Sequence, residues 1–145
     1  MDCIISSINY CPVKSLSFQN IKFCNVKKDL GIVNDRIFAF SRGVELEKAM
    51  SMEKKPNERK LNLLLTLKNS PVLNKYNFVY ENNKLSLILN NKDIISISVN
   101  NPEERSMLAD KLVDLENSLA KPIFLLQNNE FPFFDTSHSN NIFNS

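Results

Sequence analysis

The chain has 145 residues, 18 of them basic and 16 acidic, for a formal charge of +2. So even a balance lacks the basic excess of a dedicated nucleic-acid binder. No apolar run approaches the roughly eighteen residues of a membrane span, and no charged-then-apolar leader opens the chain. Length and composition fit one domain with a real core, and cytoplasmic residence is the default expectation.

In chain order, Cys3 to Ile8 reads as a first strand, ended by a turn at Pro12. Ile21 and Phe23 alternate with polar neighbours and predict a second strand; Asp35 to Ser41, between Gly31 and Gly43, predicts a third. These three runs are expected in a common sheet. Met50 to Lys60, charged and interrupted by Pro56, reads as an exposed loop. Leu61 to Leu67 is a buried strand or one turn of helix, which periodicity alone does not decide.

Further on, Phe78–Tyr80 and Leu85–Leu89 flank Asn82-Asn83 as a hairpin, and Asn90-Asn91 separates that run from a strand over 94–99. Asn101-Pro102-Glu103-Glu104 is the clearest helix start: a capping Asn, a Pro at the first helical position, and two acids at the positive end of the dipole. Met107, Leu108, Leu112, Leu115 and Leu119 then recur at helical spacing until Pro122. Residues 123–126 predict a last strand, and a polar stretch follows to the end.

The fold expected from these elements is mainly β within the α+β class. It is a small, partly open β-barrel or sandwich with one long C-terminal helix, at about Asn101 to Leu119, packed on it. The domain is expected over 1–126, with 127–145 as a linker.

Two short segments carry the candidate chemistry: Tyr10-Cys11-Pro12-Val13-Lys14-Ser15-Leu16 and Gly31-Ile32-Val33-Asn34-Asp35-Arg36. Together they bring an ammonium, a hydroxyl and a guanidinium, the donor set of an oxyanion or phosphate cradle. The bland reading of Lys14 and Ser15 is a solvated turn. That of Arg36 is an ion pair with Asp35 or Glu45, worth little if exposed. Cys3, Cys11 and Cys24 show no C-x-x-C spacing and read as buried free thiols rather than a zinc site. His138, the sole histidine, has no partner at ligand or triad spacing and reads as solvated. Lys27-Lys28 and Lys54-Lys55 are short solvated charge runs.

The two segments resemble the "YPVKSL…GL..DR" signature of the N-terminal β-barrel domain that precedes the MOSC (molybdenum-cofactor sulfurase C-terminal) domain. The resemblance extends in pattern to the hairpin region, the helix and the Phe134-Asp135-Thr136 passage. The first motif has Cys11 where the family more often has Tyr, with Tyr10 one place earlier. Carried over residue by residue, the resemblance implies that Lys14, Ser15 and Arg36 contact the phosphate and edge of a molybdenum cofactor (molybdopterin).

The family's metal-ligating Cys belongs to the MOSC domain, and none of the three here matches it. The resemblance therefore implies an N-terminal domain truncated before its MOSC domain, with that downstream domain and redox proteins as partners. Residues 127–145 would be the linker into it. Alone, the chain is expected to be inactive as an oxidoreductase or sulfur carrier and to bind the cofactor weakly. The alternative is a non-catalytic β-domain that binds an anion or a partner protein.

Overall fold

A computed structural model describes residues 2–135. In chain order it holds β1 (Ile8–Tyr10), β2 (Gln19–Ile21), β3 (Val26–Lys27), β4 (Gly31–Ile32), β5 (Phe38–Phe40), α1 (Leu46–Lys54), β6 (Tyr76–Glu81), β7 (Lys84–Leu89), β8 (Lys92–Ser98), α2 (Pro102–Leu115) and β9 (Leu125–Gln127). Single turns of 3-10 helix lie at Pro56–Glu58, Leu61–Leu63 and Pro71–Lys75. The fold is mainly β, with 29% strand and 25% helix, and its small sheets do not close into a barrel. No helix among the described residues is long and apolar enough to cross a membrane.

The two Asn pairs build the largest sheet. β6, β7 and β8 form an antiparallel meander, paired from Tyr76↔Leu89 to Glu81↔Lys84 and then onto β8. Asn82, Asn83, Asn90 and Asn91 all take positive φ, between 50° and 61°. Two-residue hairpin loops of the type I′ kind need that conformation at both positions, and Asn reaches it more readily than most other non-glycine residues. One face of the meander is apolar: Tyr76, Phe78 and Tyr80 alternate with exposed or half-buried neighbours, and Leu85, Leu87 and Ile97 join them in the core.

Helix α2 covers that face. Asn101 Oδ1 accepts from the amides of Glu103 (3.0 Å) and Glu104 (3.3 Å), the cap expected from the sequence. Leu108, Ala109 and Leu112 are buried, while Met107 points to solvent. The helix ends at Leu115, earlier than Leu119, because Glu116 leaves helical geometry. Its buried carboxylate accepts the Tyr76 hydroxyl at 2.6 Å and pairs with Lys75.

These bonds hold the Glu116 carboxyl below its usual range, Lys75 contributing most. Burial, then Glu116, pushes the Tyr76 phenol up to about 12. A phenol raised in the folded state stabilises fully below its ordinary value of 10.0 and loses that contribution as pH climbs to about 12. Tyr76→Phe is therefore expected to cost about 1–2 kcal/mol at neutral pH. It should also make stability less pH-dependent between 10 and 12, read as urea midpoints across that range. An unchanged midpoint at pH 8 would rule out a stabilising Tyr76–Glu116 bond.

Strand β5 divides the interior. Phe38, Ala39 and Phe40 are all buried, with Phe38 edge-on to Tyr80 at 5.1 Å and Phe40 against Phe78 at 5.6 Å. Ala39 instead joins a second cluster with Ala49, Met52, Leu64, Leu126 and Phe133. β5 pairs antiparallel with β9 and meets the first turn through a single parallel bridge, Val13↔Phe38.

Several expectations are corrected. The runs near 3–9 and 19–25 share a two-stranded ribbon, but 35–41 lies in a different sheet with β9. β2 stops at Ile21, opposite Ile8, so residues before Ile8 have no strand to pair with; Cys3, Ile4 and Ile5 are exposed. Cys3 is thus not a buried thiol, and Cys24 is half-buried; only Cys11 is enclosed. Phe23 is exposed as well, and the chain there forms a second ribbon, β3–β4.

The stretch read as a loop from Met50 contains the end of α1, whose Ala49 and Met52 fill the second cluster. Leu, Glu, Lys, Ala and Met are good helix formers, a local signal that the later Pro56 obscured. Leu61–Leu63 is a helical turn, and Leu64 then bridges Ser41. Within the stretch expected to begin a linker, Gln127 pairs with Phe38 and Phe133 is buried, while residues 129–131 are exposed.

Candidate functional site

The turn at 11–16 is built by its own backbone and by Cys11. Leu16 N donates to Val13 O (3.0 Å), and Ser15 and Ser17 both take positive φ. The Cys11 thiol donates to the carbonyls of Val13 (2.7 Å) and Leu16 (3.1 Å). Burial pushes that thiol up to about 11, so it stays protonated at neutral pH. Cys11 staples the turn and is no thiolate ligand.

The two motifs are docked mainly by main-chain bonds. Arg36 N donates to Cys11 O (2.6 Å), Phe38 N to Pro12 O (3.0 Å), and Lys14 N to Phe38 O (2.8 Å). Asp35 Oδ1 completes the junction by accepting the Cys11 amide at 2.9 Å. Asp35 thus positions the first motif with one oxygen and holds Arg36 Nη1 at 2.8 Å with the other. The ion pair expected as one reading of Arg36 forms with Asp35.

Lys14 is not a solvated turn residue. It is 1% exposed, and its Nζ donates to the Phe133 carbonyl at 3.1 Å and to Asp135 Oδ1 at 2.6 Å. The Asp135 side chain remains 74% exposed. Its carboxyl is held below the ordinary range, chiefly by the Lys14 hydrogen bond, against some desolvation and with help from the charges of Lys14 and Arg36. The Arg36 guanidinium lies 5.6 Å from the Phe134 ring centroid, on the same terminal segment. Lys14 and Arg36 therefore act on one carboxylate, the first by contact and the second through its field.

Ser15 and Asp135 line a hollow of about 700 Å³ whose other wall is the 61–69 stretch: Leu61, Asn62, Thr66, Leu67, Lys68 and Asn69. That wall is fixed by Asn69, whose Oδ1 accepts the Thr66 amide (3.0 Å) and whose Nδ2 donates to Leu64 O (2.8 Å). The hollow joins an apolar lining to a charged corner.

The sequence pointed to Lys14, Ser15 and Arg36 but gave Asp135 no role. The partners Lys14 and Asp135 are 121 positions apart, so no local spacing links them. The 61–69 wall was missed for the same reason. His138 and Thr136 lie outside the described residues. Among the described residues, no three His, Cys, Asp or Glu side chains gather as a metal site. No family model, curated protein or solved structure matches the chain.

Proposed function

We propose that this chain is an anion-binding module of the MOSC N-terminal kind, in which Lys14, Ser15 and Arg36 hold the phosphate end of a molybdenum pterin cofactor. The observation that carries this reading is the buried Lys14 ammonium, which meets a carboxylate at the edge of an open hollow. An enclosed cation beside a second cation is a seat for a charged oxygen, and Arg36 adds a planar fork suited to phosphate.

The residues fit the phosphate of such a group but not its metal, since Cys11 is buried as a protonated thiol. When bound, the cofactor supplies redox or sulfur-transfer chemistry at its metal. This chain's part is to bind and orient the phosphate, and the metal thiolate comes from a MOSC domain. Cytoplasmic placement goes with this reading, the three cysteines being free.

The test is a titration with inorganic phosphate, followed by amide chemical shifts. Shifts should concentrate at residues 13–16 and 36, with about millimolar affinity, and vanish in Lys14→Met. Shifts spread evenly over the surface, or unaltered by Lys14→Met, would exclude the anion seat.

A second reading is favoured by the enclosure of Lys14: its pair with Asp135 is a latch that fastens residues 131–135, and the module binds a partner protein. The two readings differ in what Lys14→Met does. A latch alone predicts a stability loss of about 2 kcal/mol with no change in anion binding. The loss is smaller than for a fully buried pair because the freed Asp135 carboxylate is already hydrated.

A further inference from the structure

Asp135 meets the enclosed Lys14 ammonium from an exposed position. A buried ammonium is usually satisfied by a counter-ion buried with it, whereas the carboxylate on Lys14 Nζ, at 2.6 Å, belongs to a side chain that is 74% exposed. That asymmetry makes the counter-ion exchangeable. Releasing Asp135 returns a largely hydrated carboxylate to water at small cost, while Lys14 still needs an anion.

The place beside Asp135 is shaped for more than an ion. The hollow of about 700 Å³ has the Ser15 turn on one side and Leu61, Leu67 and Lys68 on the other. Lys68 is exposed and enters none of the ion pairs among the described residues. Ser15 hydroxyl likewise takes part in none of the side-chain hydrogen bonds described above.

Resting on the anion-seat reading, we propose that Asp135 is an internal competitor for Lys14 and that the ligand it excludes is a phosphate monoester. The phosphate replaces the Asp135 carboxylate on Lys14, and the organic part enters the hollow on the side that carries Leu67 and Lys68. A carboxylate ligand has no advantage over Asp135, which carries the same charge and is tethered at an effective concentration of about millimolar or more. A phosphate brings a second negative charge into the field of Arg36 and further oxygens for the Ser15 hydroxyl. The apolar part of the lining accepts a carbon skeleton rather than water alone.

Calorimetric titrations with inorganic phosphate and with glycerol 3-phosphate test this on the wild type, Asp135→Asn, and Asp135→Asn combined with Lys14→Met. Asp135→Asn is expected to bind phosphate at least about tenfold more tightly than the wild type. Adding Lys14→Met should abolish that binding. Glycerol 3-phosphate should bind Asp135→Asn more tightly than phosphate does, and Lys68→Ala should remove only that increment. Asp135→Ser, which keeps the Lys14 bond to the Phe133 carbonyl, should repeat the ordering and covers a folding defect specific to the amide.

Equal, Lys14-dependent affinity in wild type and Asp135→Asn would overturn the competitor role while leaving the anion seat standing. Absence of Lys14-dependent binding in every variant would overturn both. Glycerol 3-phosphate binding no tighter than phosphate would overturn the monoester assignment.

Discussion

Arg59→Met is expected to lower the free energy of unfolding by about 3 kcal/mol, although Arg59 lies outside both motifs. Its guanidinium donates to four backbone carbonyls: Met52 (2.7 Å), Glu53 (2.8 Å), Phe131 (2.6 Å) and Pro132 (3.3 Å). The first two belong to the last turn of α1, where carbonyls lack intrahelical partners and a cation complements the helix dipole. The same group lies over the Phe133 ring, 3.9 Å from its centroid.

Burial pulls Arg59 down to about 10, so it remains a cation at neutral pH and its bonds are charge-assisted. Losing it removes one hold on residues 131–133, and so loosens the carbonyl that Lys14 uses and the approach of Asp135. Urea unfolding reads the global effect. Hydrogen exchange at the Phe133 amide, bonded to Arg36 O at 2.7 Å, reads the local one and should quicken. Arg59→Lys should restore only a minority of the loss, because one ammonium cannot span two segments as a planar fork does. A loss below about 1 kcal/mol in the methionine variant would show that the strap is dispensable.

Phe38→Ala should cost about 4 kcal/mol, within the range for removing a fully buried ring. Phe38 is fully buried and packs edge-on against Tyr80, so removing the ring loses both transfer energy and an aromatic pair, and it leaves a void between β5 and the meander. The backbone of Phe38 also holds the Lys14 turn through two hydrogen bonds, Lys14 N to Phe38 O and Phe38 N to Pro12 O. If the cavity lets β5 shift, phosphate binding at Lys14 should weaken alongside stability, whereas Leu112→Ala, on α2 and without a backbone bond to that turn, should reduce stability alone. Denaturant midpoints and the phosphate titration together separate these outcomes. A change in midpoint equivalent to less than about 1.5 kcal/mol for Phe38→Ala would mean that the surrounding core collapses to fill the space.

The amino-acid sequence by itself determined the parts whose causes are local. Asn82-Asn83 and Asn90-Asn91 specify two tight turns because positive φ is a property of the residue at that position. Asn101 specifies the start of α2 because its oxygen meets amides two and three residues on. The α+β class follows from those elements together with the short apolar runs. α1 was also locally encoded, in residues with high helix propensity, but Pro56 drew the reading toward a loop.

Tertiary structure alone decided which apolar runs become strands and which carboxylate Lys14 meets. Ile4 and Ile5 are as apolar as any strand residue, yet they stay exposed because β2 ends opposite Ile8. Lys14 is legible as a cation in a turn. That it is buried, and that its counter-ion is the wet carboxylate of Asp135, depends on β9 pairing with β5 and on Arg59 and Phe133 folding residues 131–135 back over the first turn. A turn or a cap is satisfied within a few residues of itself. The burial of Lys14 and its pairing with Asp135 join residues 121 positions apart, and sequence spacing carries no trace of them.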